Sequence, residues 1–339
     1  MKSNKARRVL AILLCTASLL MLYAAAVSAQ KVSGLLVAGD SISSGRGLDD
    51  RAGKRYGSLL AAKLGLSGGK NINVAEDDMT STDLLEKLPG YEAGIKAADL
   101  MVISVGTYDI MSIILPALDP AGGGIDYPKL LEMVRDADYV RRVEEAIDQY
   151  ALVNAMTKYY LNLEKIVTLI KQANPGIRIV LLSLYNPFAG SEQLSTLKAK
   201  FDLYIKIMND NLRQVAETYG CRVLDLAAAF ESKTGQLTDI TSLDISPNAA
   251  GHTLIADLLF ELISTLPDPP ETEPPQTNVT SESQPTDTTP PPEETTTSDP
   301  LDLIKTPPES RLWIYILVAV CAGGTGIIIG AISVRSKKE

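Results

Sequence analysis

The stretch Val32-Ser33-Gly34-Leu35-Leu36-Val37-Ala38-Gly39-Asp40-Ser41-Ile42-Ser43 decides the fold. A continuous apolar run that does not alternate with polar residues, and that ends at once on a Gly-Asp-Ser turn, reads as a strand buried on both faces of a parallel sheet. Outward from it the pattern recurs: residues 100–105, 177–184 and 221–226 are runs of the same kind, and 72–75 is a weaker one. Between them lie longer stretches with helical spacing, at 56–64, 82–88, 139–173, 193–219 and 249–263. Residues 139–173 have the apolar spacing of one or two core helices. Asn248 is placed to cap the last helix, and Asn174-Pro175-Gly176 stops the long one. Strand and helix alternate, which predicts a three-layer α/β domain that binds ligands beyond the carboxyl ends of its strands, near a topological switch point. That puts weight on two turns, Gly39-Asp40-Ser41-Ile42-Ser43 after the first strand and Gly106-Thr107-Tyr108-Asp109 after the third.

The chain has 339 residues and a formal charge of −9, and its composition changes along its length. Residues 1–29 carry +4, with Lys2, Lys5, Arg7 and Arg8 ahead of an uncharged run and Val27-Ser28-Ala29 at its end. This is the pattern of a secretory signal peptide cleaved before Gln30. Residues 30–266 carry −7 and are long enough for one sizeable core. Residues 267–310 carry −9 and hold 12 of the chain's 19 prolines, so they are expected to form a disordered, extended stalk. Residues 311–334 follow, uncharged from Leu312 to Val334, which is long enough to cross a bilayer as a helix. Arg335, Lys337 and Lys338 in residues 335–339 keep the tail cytoplasmic and so place the domain outside. The expectation is a single-pass protein of the cell membrane with an extracellular globular domain. An acidic body excludes a nucleic-acid partner, which needs a basic footprint. Once Cys15 leaves with the signal, Cys221 has no partner within the body and is expected to be a buried strand residue.

Four motifs occur in order on the expected elements: Gly39-Asp40-Ser41-Ile42, then Asn73-Val74-Ala75 with Thr80-Ser81, then Gly106-Thr107-Tyr108-Asp109, and Pro247-Asn248-Ala249-Ala250-Gly251-His252 before the last helix. Together they resemble the SGNH/GDSL hydrolase family, whose esterases, lipases and acetylesterases share a flavodoxin-like α/β/α fold. The resemblance implies that Ser41 stands at the nucleophile position. It also implies a histidine base with an aspartate three residues earlier, and an oxyanion hole built from the serine N–H, a glycine N–H and an asparagine amide. This sequence departs from that set. The glycine position falls on Asp78, whose carboxylate is expected to repel a developing oxyanion, and the asparagine position falls on Tyr108. The histidine position falls on Ser246 and the aspartate position on Leu243. Asp244 is one residue out of register, and His252, the only histidine, lies six beyond the histidine's place inside the last helix. The bland reading of His252 is a helix residue packed on the sheet, and the sharp one is a displaced general base.

Three functional readings are open. The first is a stalk-anchored surface pseudoenzyme whose cleft binds a cell-surface glycan or a protein partner. The second is an active esterase or acetylesterase acting on ester or O-acetyl groups of surface polysaccharides or lipids, with Asp244, Asp78 or His252 as the substitute base and Tyr108 as a donor. The third is a structural spacer. No cofactor or metal site is expected: Glu76-Asp77-Asp78 lacks the spacing and glycine of a calcium loop and reads as a solvated acidic loop.

Overall fold

The computed structural model describes residues 32–119, 124 and 126–265. The signal, stalk, membrane span and tail expected from the sequence lie outside the described residues, and no helix among those described is long and apolar enough to cross a membrane.

Five strands form one parallel sheet in the order β2-β1-β3-β4-β5. They are β1 (Leu35–Gly39), β2 (Asn71–Asn73), β3 (Leu100–Ser104), β4 (Arg178–Leu182) and β5 (Arg222–Leu224). Every residue of β1 and β3 is buried, which is why those runs carry no alternation. Residues 35, 37, 100, 102, 180, 182 and 224 face one layer, the paired helices α2 (Tyr56–Lys63) and α9 (Ala249–Ser264). Alternation sends Leu36, Ala38, Met101 and Ile103 to the other face. That face carries α3 (Ser81–Lys87), α4 (Glu92–Ala97), α5 (Thr107–Leu118), α6 (Ala137–Ala146), α7 (Gln149–Ala173) and α8 (Ser195–Tyr219), with Gly94 of α4 lying against Leu36. The observed fold is the three-layer α/β arrangement expected from the sequence, with Cys221 buried as a free thiol just before β5.

The helix ends follow their side chains. Asn248 Oδ1 accepts the N–H groups of Ala250 and Gly251 at 3.0 and 3.1 Å, capping α9 as expected. At the other end of the domain Asn174 stops α7 and donates its amide to Ile95 O and Ala98 O at 2.9 Å each. The stretch 139–173 is two helices, because Ile147 leaves helical geometry and Asp148 starts a new helix by accepting Ala151 N–H at 2.9 Å. Elements outside the sequence expectations include α4, α5 and a small antiparallel pair. Helix α5 has a helical apolar face, with Ile110, Met111, Ile114, Ala117 and Leu118 buried, and carries Pro116 inside it. The antiparallel pair, β6 (Thr238–Asp239) with β7 (Asp244–Pro247), is too short to leave a run.

The sheet order reverses direction at β1: β2 lies on one side and β3 on the other. At the carboxyl end of this pair Gly39 is opposite Ser104, and Asp40 N–H donates to Ser104 O at 2.8 Å. Gly39 has φ +129°, and a Cβ there would stand 1.7 Å from Ser104 O, so only glycine lets the chain turn at this point.

Candidate active site

The turn after β1 leads into α1, a single helical turn (Ser41–Ser44) capped by Asp40, whose Oδ1 accepts Ile42 N–H at 3.1 Å. The same oxygen accepts Ser104 Oγ–H at 2.9 Å. Ser104 Oγ lies 2.6 Å from Ser43 Oγ, which in turn bonds Tyr56 Oη. A buried chain of hydroxyls therefore runs under α1 and ends on Asp40. Burial pushes the Asp40 carboxyl up to about 7, against the hydrogen bonds from Ser104 and Ile42 and with the charge of Asp109 adding to the rise. Its Oδ2 is buried and has no hydrogen-bond partner among the described residues.

Ser41 is 2% exposed. Its Oγ accepts Asp78 N–H at 2.9 Å and donates to Asp78 Oδ1 at 3.4 Å. Asp78 has φ +61°, so its backbone takes the left-handed conformation a glycine takes freely, and its N–H points at Ser41 Oγ. Its carboxylate is ion-paired with Arg46, whose Nη1 also donates to Tyr108 Oη at 2.9 Å. Burial, with Asp78 adding to it, holds the Tyr108 phenol well above its ordinary range. Arg46 sits between Gly45 and Gly47, which have φ +84° and +82°. The next acid, Asp77, accepts Ser44 Oγ–H and is held by Arg51 at 2.9–3.0 Å. Glu76 pairs with Lys87. Glu76-Asp77-Asp78 is exposed, as expected of a solvated loop, but it is tied down by ion pairs. Each acid has a basic partner, and two of those partners clamp the loop over α1. Among the described residues no group of side chains is arranged to hold a metal ion.

Ser246, at the histidine position, is buried and donates its N–H to Asp244 Oδ1 at 2.9 Å. With Asp40, Ser41, Tyr108, Tyr185 and Ile245 it lines a slot enclosing about 10 Å³ of free space, the room of one water. Tyr185 closes that slot by donating its hydroxyl to Ile245 O, and its ring stacks on Phe230 at 4.4 Å. Leu243 is not in the slot. It has φ +57° and ends the 3₁₀ turn Ile240–Ser242 with its N–H on Ile240 O. The Asp244 carboxylate lies against Gly47, on the rim.

His252 is not a base for Ser41. It is fully buried in α9 outside the slot, and its Nδ1 accepts Tyr56 N–H at 3.1 Å. Its ring lies parallel to that of Tyr56 with centroids 6.0 Å apart, and burial lowers its pKa to about 4. The sharp reading of this histidine fails because its accepting nitrogen is already engaged on the backbone of α2.

The geometry thus brings Ser41, Asp78, Tyr108 and Ser246 around one point at the switch of the sheet, and leaves Leu243 and His252 elsewhere. Sequence reasoning missed Arg46, Arg51 and Tyr185. A signal for the first was present: a lone cation between two glycines, five residues after a Gly-Asp-Ser turn, is a charge set on a tight loop beside Ser41.

The model of the GDSL-like lipase/acylhydrolase family matches residues 37–254, more than half of the chain. The protein belongs to the GDSL-like lipase/acylhydrolase family. An uncharacterized protein of Bacillus subtilis (strain 168), YpmR, is similar, at 24% identity over 234 residues, covering 66% of this chain and 79% of that one. Among solved structures, phospholipase A1 from Streptomyces albidoflavus NA297 is similar with a TM-score of 0.49 and 20% identity, over 68% of this chain and 99% of that one. The extracellular lipase from Streptomyces rimosus gives 0.48 and 18%, over 68% and 99%. Membership fixes the ancestry of this GDSL-like domain, and the residues around Ser41 bear on what it still does.

Proposed function

We propose that this protein is an exported, membrane-anchored GDSL-like domain whose ester hydrolysis is lost or severely weakened, held outside the cell as a binding module for a surface glycan or a protein partner. One observation carries the reading: the Ser41 hydroxyl meets Asp78 and no imidazole, while the domain's histidine is engaged by Tyr56 N–H. Loss of the base costs about 10⁶ in rate in a serine hydrolase, and loss of one oxyanion donor about 10²–10³. Replacement of the histidine position by Ser246 and the asparagine position by Tyr108 bears on both. Anchoring and outward orientation rest on the charge pattern of residues 1–29 and 311–339.

A second reading has one observation in its favour. Ser41 Oγ–H is directed at a carboxylate oxygen of Asp78, and a carboxylate is a general base when its environment permits. On this reading the protein is an active serine esterase. Hydrolysis of p-nitrophenyl acetate by the purified protein and by Ser41→Ala separates the two. The first reading expects equal rates near the uncatalysed background and no fluorophosphonate adduct on Ser41. A Ser41-dependent rate and a labelled serine overturn it, and Asp78→Asn then tests the base.

A further inference from the structure

Arg46, Tyr108 and Ser41 converge on one place. Arg46 Nη1 contacts both Asp78 Oδ1 and Tyr108 Oη, and Ser41 Oγ reaches the same Asp78 oxygen at 3.4 Å. Two side-chain donors thus meet on a single carboxylate oxygen beside the serine, and the residue supplying that oxygen is held in a left-handed backbone conformation. We propose that Arg46, Tyr108 and Ser41 form a recognition set for a ligand's carboxylate group, and that Asp78 occupies it from within the chain as a built-in stand-in for that ligand.

The inference rests on the reading of this cleft as a binding site. Three features support it. Asp77 is separately satisfied by Arg51 and Ser44, so Arg46 is not needed to hold the neighbouring acid. The side chains of Arg46 and Asp78 are 40% and 54% exposed, so the pair faces solvent and can be exchanged for an external group without opening the core. A guanidinium carries several donors in a planar fork suited to carboxylates, and one of its nitrogens is already shared between Asp78 and Tyr108. Around the cation stand Asp77, Asp78 and Asp244, which also act on it electrostatically. With Asp78 in place the set is neutralised, and an incoming carboxylate must displace it. Without Asp78 the Arg46 and Ser41 donors lose that acceptor.

The test is a saturation-transfer NMR titration of the full chain in detergent micelles with sodium butyrate, at constant ionic strength. Asp78→Gly suits the left-handed backbone, and Asp78→Asn tolerates it while keeping the side chain's size, so the two variants together guard against a folding artefact. Both are expected to bind butyrate at least tenfold more tightly than the unaltered chain, and the gain is expected to vanish in Asp78→Gly/Arg46→Ala. No gain in either variant, as when Arg46 re-pairs with Asp244, overturns the proposal. So does a gain that survives loss of Arg46. Ser41-dependent ester turnover in the unaltered chain would instead overturn the reading of lost hydrolysis, so the two failures are read on different observables.

Discussion

His252 Nδ1 accepts the Tyr56 N–H, a role open only to the neutral ring, and burial holds its pKa at about 4 against an ordinary value near 6.5. The sign follows from which state binds the proton first. As pH falls, the unfolded chain protonates before the folded one, so this residue's contribution is present above about pH 6.5 and is lost as pH falls through about 4. Its full size is on the order of 3 kcal/mol. Asp40 and Asp109 are raised by burial and act in the opposite direction, so the comparison is made with a variant. His252→Asn, whose amide oxygen can take the Tyr56 N–H, is expected to lose less stability than the parent chain between pH 7 and pH 4.5, measured as urea midpoints. Equal losses would show that the ring does not titrate this way. At this scale Ser41, Asp78, Tyr108 and Ser246 were legible as positions, because motif offsets carry position. Their partners were not: an ion pair such as Arg46 with Asp78 joins residues 32 apart and leaves no local pattern.

Between α6 and α7 two residues make the break. Tyr139 and Val143 are buried four apart, as are Leu152 and Met156, so each helix has its own apolar face, and the nine residues from Val143 to Leu152 put the two faces half a turn out of phase. The chain stops because Ile147 is extended and Asp148 caps the helix after it. Asp148 is exposed, so Asp148→Ala removes the cap with little else. It is expected to cost about 1 kcal/mol, seen as a fall in melting temperature of about 2–4 °C in a domain of this size. An unchanged melting temperature would mean that tertiary packing alone sets the break. Strands were the more legible elements because burial on both faces removes polar residues from them almost altogether, as in Leu100–Ser104. The β6–β7 pair was illegible for the converse reason: it is held by a short register and by a left-handed Leu243, neither of which is a compositional signal.

Over the whole chain, residues 30–266 carry −7 and residues 267–310 carry −9, ahead of an uncharged span with basic residues after it. On the proposed topology, deletion of residues 311–339 moves the protein from the membrane fraction to the soluble one, whereas the full chain stays in the pellet through an alkaline carbonate wash. A full chain that washes off would rule the anchor out. Membership of the family was legible from four short motifs because they sit where the sheet changes direction, and that geometry constrains sequence most tightly.

The hydroxyl chain from Tyr56 through Ser43 and Ser104 to Asp40 gives that constraint a further meaning. Gly39, Asp40, Ser43 and Ser104 are each accounted for by the need to turn the first strand and to satisfy the polar groups beneath the turn. Such a signature behaves as masonry: it can stay in place after the chemistry above it has gone, and a motif search then reports the foundation of a hydrolase whether or not anything is still hydrolysed there.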